Sequence, residues 1–180
     1  MLGTSRLLTF AFRALIILLI IAILWVSVAE SYNQVLVALA GPLLPGETTV
    51  HELGVYLVFE HSRFNTGVSI DGLTLHFGLV LVSVLVLAAV GISIGPRIGW
   101  LAAFVIGAFF VHVAGVALLG RGLVWAAGAD SPAESTRLVL SLFAVFWGLI
   151  PPAAGGIWCF AYWLPKLRNP AETQNVTSAT

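Results

Sequence analysis

The run Trp100-Leu-Ala-Ala-Phe-Val-Ile-Gly-Ala-Phe-Phe-Val-His112-Val-Ala-Gly-Val-Ala-Leu-Leu119 holds no charged side chain. As an α-helix it is about 30 Å long, the thickness of a bilayer's hydrocarbon core. Its composition is that of the chain at large. Of 180 residues, 59% are hydrophobic and only 9% charged, and mean hydropathy is +1.04. A soluble domain carries about 25% charged residues. A chain so poor in charge cannot cover a water-facing surface, so lipid must replace water over much of it.

Three further runs read the same way, giving spans over residues 7–29, 75–93, 100–119 and 138–164. None contains an acidic side chain, in keeping with the cost of a charge in hydrocarbon. The expectation is an all-α membrane protein: a single domain over residues 1–168 with four transmembrane helices, and a polar tail at 169–180.

The charges orient the spans. Arg6, Arg13, Arg97, Lys166 and Arg168 lie at the N-terminus, in the short second connection or at the C-terminus. Glu30, Glu47, Glu52, Glu60, Asp71, Asp130 and Glu134 lie in the other two connections. Basic residues favour the cytoplasmic side. Both termini and the turn at Gly95-Pro96-Arg97 are therefore expected in the cytoplasm, in a multi-pass protein of the bacterial inner membrane. Arg63, Arg121 and Arg137 dissent. Trp25, Tyr32 and Trp125 then mark the outer interface, and Trp100, Tyr162 and Trp163 the inner one. A rival reading takes Arg13, the apolar run and Ser27-Val28-Ala29 as a cleavable signal peptide, leaving three spans.

The outer connection, residues 30–72, is too long for a turn. Residues 32–44 are apolar but too short to span, and read as a separate interfacial or re-entrant helix ended by Pro42 and Pro45. Residues 54–60 are rich in Val, Tyr and Phe. Val68-Ser69-Ile70, then Asp71-Gly72, then Leu73-Thr74-Leu75 carries a hairpin signal. A small strand-containing extracytoplasmic cap between helices 1 and 2 follows. It either covers helix ends or receives a partner.

Few residues offer chemistry. His112 lies within the third span, and Ala108 and Gly115 on its face allow another helix to approach closely. His76 lies near the outer end of the second span. Both fall in the outer half, so they can share a site. Imidazoles on two helices suit a haem or a metal ion; the blander reading pairs each with a carbonyl or a neighbouring helix. These two are the only cofactor-site candidates. Cys159 is placed roughly 10 Å deeper than His112, too far for a Cys–His pair, and reads as a packing residue. The loop set His51, Glu52, Glu60 and His61 matches no metal motif. Gly91, Gly95 and Gly99 around Pro96 read as a tight turn. Pro151-Pro152 and Gly155-Gly156 are expected to break the fourth helix, as a packing kink rather than a transport site. With no basic run, nucleic acid is not a partner. No catalytic set, multi-ligand metal site or resident cofactor is indicated, so the chain reads as a non-enzyme.

Two stretches carry a family resemblance. Leu73-Thr74-Leu75-His76-Phe77-Gly78-Leu79-Val80-Leu81, leading into Leu87-Ala88, resembles an aromatic-Gly-Leu-Pro-Leu entry to a Leu/Ala helix, with Val80 where that pattern has proline. Residues 146–168, with Pro151-Pro152, Trp158 and Trp163, resemble a Pro- and Trp-containing last helix. In these stretches and in its plan of one span, an outer loop and three spans, the chain is similar to the small membrane proteins encoded beside bacterial exosortases, the exosortase H-associated family. The resemblance implies an accessory partner of an exosortase-type protein-sorting system, in contact with lipid and another membrane protein. Exosortases use a Cys, an Arg and a His placed together. No such set is found here, and no catalytic residue carries over.

Overall fold

The computed structural model describes residues 4–64 and 67–168; the tail at 169–180 lies outside the described residues. In chain order they form α1 (Thr4–Ala40), a 3-10 turn (Gly41–Leu43), β1 (Thr49–Leu53), β2 (Tyr56–Glu60), β3 (Val68–Asp71), α2 (Gly72–Ala88), α3 (Ile94–Ala127), α4 (Pro132–Trp158), a π-helical stretch (Cys159–Trp163) and α5 (Leu164–Arg168). The protein is mostly helical, with one small antiparallel sheet in the order β1-β2-β3. Three helical stretches are long and apolar enough to cross a membrane: Leu7–Leu43, Ile94–Ala127 and Pro132–Lys166.

α2 differs from these three. Its 17 residues span about 25 Å, short of a hydrocarbon core of about 30 Å. It is apolar on every side, and a helix of that kind belongs in an interior. Leu79, Val80, Val82, Val84 and Val86 are buried, and α2 packs against α1, α3 and α4. The longer helices overshoot the start of α2, and the sheet occupies the space beside their overshoot. Val50, Leu57 and Phe59 face inward from paired strands onto Leu36 of α1 and Leu119 and Leu123 of α3.

Several boundaries depart from the sequence expectation. Residues 32–44 are not a separate helix: α1 continues to Ala40. Residues 14–40 contain neither glycine nor proline, so nothing stops the helix before Gly41-Pro42. The first connection thus begins near 41, not 30. The hairpin is not at Asp71-Gly72. It joins β1 to β2 through Gly54-Val55, where Gly54 adopts φ +59°. Asp71 instead caps α2, its carboxylate accepting from the Leu73 backbone N–H at 3.0 Å.

The second span, expected over 75–93, ends at Ala88, and the turn occupies residues 89–93, with Gly91 at φ +82°. Gly95 and Pro96 lie in the first turn of α3, where a missing N–H leaves no gap. The Arg97 guanidinium reaches back to the carbonyls of Leu87, in the last turn of α2, and Ile92, in the connection after it. The third connection shrinks to residues 128–131, placing Arg121 in α3 and Glu134 and Arg137 in α4. Glu134 in the first turn of α4 suits the helix dipole.

Pro151-Pro152 and Gly155-Gly156 do not break α4, which runs through them. They serve close packing: a Cβ on Gly78 of α2 would lie 3.0 Å from Pro151, and Gly155 faces Val82 and Leu85. The irregular stretch comes later, at Cys159–Trp163. There Trp163 donates its indole N–H to the Val90 carbonyl at 2.9 Å and packs on Phe10, closing the end opposite the cap.

Candidate functional site

The two histidines singled out by sequence do meet. His76, one turn into α2, and His112, mid-way along α3, have ring centroids 4.5 Å apart. Both side chains are buried. α1 supplies their partners. The Tyr32 hydroxyl and His112 Nδ1 are hydrogen-bonded at 2.6 Å, and Asn33 Oδ1 lies 3.1 Å from His76 Nε2. α4 supplies Trp147, which stacks on His112 at 4.6 Å with an interplanar angle of 13°. Gly115 makes that stack possible, because a Cβ there would fall inside the Trp147 ring.

The network ties the helices to the cap. Asn33 donates its Nδ2 proton to the Val55 carbonyl at 3.0 Å, and the Gly72 backbone N–H donates to the same oxygen at 3.0 Å. A carbonyl only accepts, so the Asn33 amide orientation is determined and its Oδ1 faces His76. His76 Nε2 is therefore the donor, and a singly protonated ring leaves Nδ1 bare. Gly72 must be glycine for the turn to lie this close: a Cβ would sit 2.6 Å from the Val55 oxygen and 2.8 Å from the Asn33 nitrogen.

Two ring nitrogens, His76 Nδ1 and His112 Nε2, are buried without a hydrogen-bond partner. Such atoms often mark a ligand site, and a haem or a metal ion would set definite demands on its geometry. Two axial imidazoles on one iron stand with their nitrogens roughly 4 Å apart and their ring centres about 6 Å apart, given metal–nitrogen distances near 2 Å. Rings at 4.5 Å, flanked by Tyr32 and Trp147, leave no room for a macrocycle between them. For a metal ion, no group of three or more His, Cys, Asp or Glu side chains comes together among the described residues. The arrangement therefore does one thing well: it clamps three helices and the cap hairpin to one another.

The remaining candidates lie apart. His51, Glu52, Glu60 and His61 sit on or beside β1 and β2, where His61 Nδ1 accepts from the Arg63 backbone N–H at 3.0 Å. Cys159 packs in the cluster at the opposite end, with Val82, Trp158 and Trp163. Sequence reading missed Asn33 and Trp147, and took Tyr32 for an interface residue. The signal for Asn33 is the amide pair Asn33-Gln34 in a helix otherwise running on to Leu36 and Ala40, visible once α1 is read as continuous. Comparison of the chain with protein-family models, with curated proteins and with solved structures finds no match in any of the three.

Proposed function

We propose that this chain is a non-enzymatic accessory protein of the bacterial inner membrane that partners another membrane protein, in keeping with the resemblance to the exosortase H-associated family. In this reading all four helices cross. Charge-free belts run between Arg13 and Glu30 on α1, after Asp71 on α2, between Arg97 and Arg121 on α3, and between Arg137 and Lys166 on α4. α2 crosses as the most covered helix, with only Phe77 and Leu81 among its large side chains exposed, so its shortness costs little. The five basic residues at the end opposite the cap favour a cytoplasmic side for that end and both termini.

One observation carries the non-enzymatic reading: the groups best suited to chemistry, His76 and His112, are sealed from solvent and engaged in holding the cap. What the molecule offers outward is surface. Large apolar side chains such as Leu19, Ile106, Phe110 and Phe146 line its flanks, and the outward face of the sheet presents Thr49, His51, Glu60 and Ser69. The flanks suit lipid and partner helices; the sheet face suits the extracytoplasmic part of a partner.

Affinity capture in mild detergent, with mass spectrometry and a visible absorption scan of the same eluate, tests the reading. A colourless eluate with a stoichiometric exosortase-type membrane peptidase supports it. A Soret band lost on replacing His76 or His112 overturns it in favour of a haem-bearing redox subunit.

A further inference from the structure

The β1–β2 hairpin hangs alongside the helices with its tip directed away from the outer ends of α1 and α3. Its far end lies toward those ends: Leu44, five residues before β1, faces Gly120, two turns short of the end of α3, and Arg63, three residues after β2, faces Gly128 just past it. Its tip lies at the start of α2, because the Val55 carbonyl accepts from the Gly72 N–H and from Asn33. Asn33 is about 5 Å along α1 from Glu30, the exposed acid that closes the apolar belt of that helix. The tip therefore sits at the edge of the apolar belt of α1.

Polarity is graded along the same axis. The outward face of the sheet carries three rows of paired residues. Farthest from the belt is Thr49 with Glu60; next come His51, Val58 and Ser69; nearest are Leu53, Tyr56 and Asp71. In that last row Leu53 is 67% exposed and Tyr56 46% exposed. A leucine and a tyrosine left uncovered at the tip, beside a carboxylate, match a bilayer's headgroup boundary, where one end of a side chain meets hydrocarbon and the other water.

We propose that the hairpin tip, Leu53 with Tyr56, inserts into the outer headgroup boundary of the bilayer, so that lipid is the partner of this part of the cap. The inference rests on reading the helices as spans. The tip and the Val55–Asn33 bond then hold the cap at fixed height, leaving the polar rows of the sheet facing water.

The test uses the full chain in liposomes with Cys159→Ala, and a polarity-sensitive thiol-reactive fluorophore on Leu53→Cys or, separately, Tyr56→Cys. Glu60→Cys reports the water-facing row, and Ile106→Cys reports the middle of α3. The expected result is a blue-shifted label at 53 and 56, with greater emission loss from lipids bearing a nitroxide near the headgroup than from aqueous iodide, and the reverse at 60. If iodide quenches 53 and 56 as strongly as 60 while chain-end nitroxides quench 106, the proposal fails and the span reading stands. Shielding of 53 and 56 from both quenchers also overturns it, pointing to a second copy on the tip. If 106 escapes lipid quenching, the span reading itself fails and the proposal with it.

Discussion

The two ends of the bundle are built in different ways. At the cap end, buried polar groups from three helices and a hairpin turn meet in one network: Tyr32 with His112, Asn33 with His76 and Val55. At the opposite end, aromatic rings pack on one another, Trp100 on Tyr162 at 5.2 Å and Phe10 on Trp163 at 4.7 Å. The polar contacts there mostly serve the backbone of one short turn, through Arg97 and Trp163. The contrast teaches where specificity resides. Rings and aliphatic chains tolerate small shifts, whereas a hydrogen-bonded amide between two fixed partners does not. The cap end therefore sets which helix faces meet, and the other end keeps the bundle closed.

The sharpest way to break this contrast is at Gly115. Replacing it with Ala drives a methyl into Trp147 and dislodges the His112 stack, with an expected loss of about 3 kcal/mol. Thermal unfolding in detergent should show a large fall in midpoint; a midpoint within error of the parent would mean that Trp147 moves aside freely. Next comes Asn33→Ala, which strands a donor on His76 and leaves the Val55 oxygen with the Gly72 N–H alone, for about 2 kcal/mol. Limited proteolysis should then cut the hairpin before any other described connection, and equal cleavage in parent and variant would show that the latch does not hold the cap.

At the opposite end, Arg97→Gln removes bonds to the carbonyls of Leu87 and Ile92, for about 1.5 kcal/mol. Amide exchange should quicken around residues 87–93 and stay unchanged near His76. Spread to the cap end would contradict the division into two ends. Tyr32→Phe removes the single hydrogen bond to His112 while keeping the ring contacts, an effect of about 1 kcal/mol by titration with a denaturing detergent. The smallest effect belongs to Gly107→Ala. No atom lies within 4 Å of its added methyl, so stability should change by less than about 0.5 kcal/mol. A large loss there would reveal a contact with a second molecule.

Legibility in the sequence followed the same division. Membrane character, the apolar helices and strands within the first connection could be read from runs of residues, because hydropathy and period are local. The pairing of His76 with His112 could be placed to within half a bilayer, because rise per residue converts sequence position into depth. Boundaries went astray where two local signals competed. Asp71-Gly72 carries a turn signal, yet it sits at a strand-to-helix junction where the Asp71 carboxylate caps α2. Gly95-Pro96 looks like a break, yet a proline in the first helical turn breaks nothing. Pro151-Pro152 looks like a break too, but Pro151 is the surface on which Gly78 rests.

By itself, then, the sequence determined that this chain belongs with lipid, that most of it is helical, and that two histidines lie in the same half. Composition and periodicity suffice for that, since each depends only on neighbours along the chain. Only the tertiary structure decided the rest. Helix rotation puts Asn33 and Tyr32 against the two rings, the turn at Val55 reaches across to them, and most of α2 is buried among the other three helices, with Phe77 and Leu81 left exposed. Rotation and register are set by packing between segments far apart in sequence, where a methyl on Gly115 or Gly72 is enough to exclude a contact.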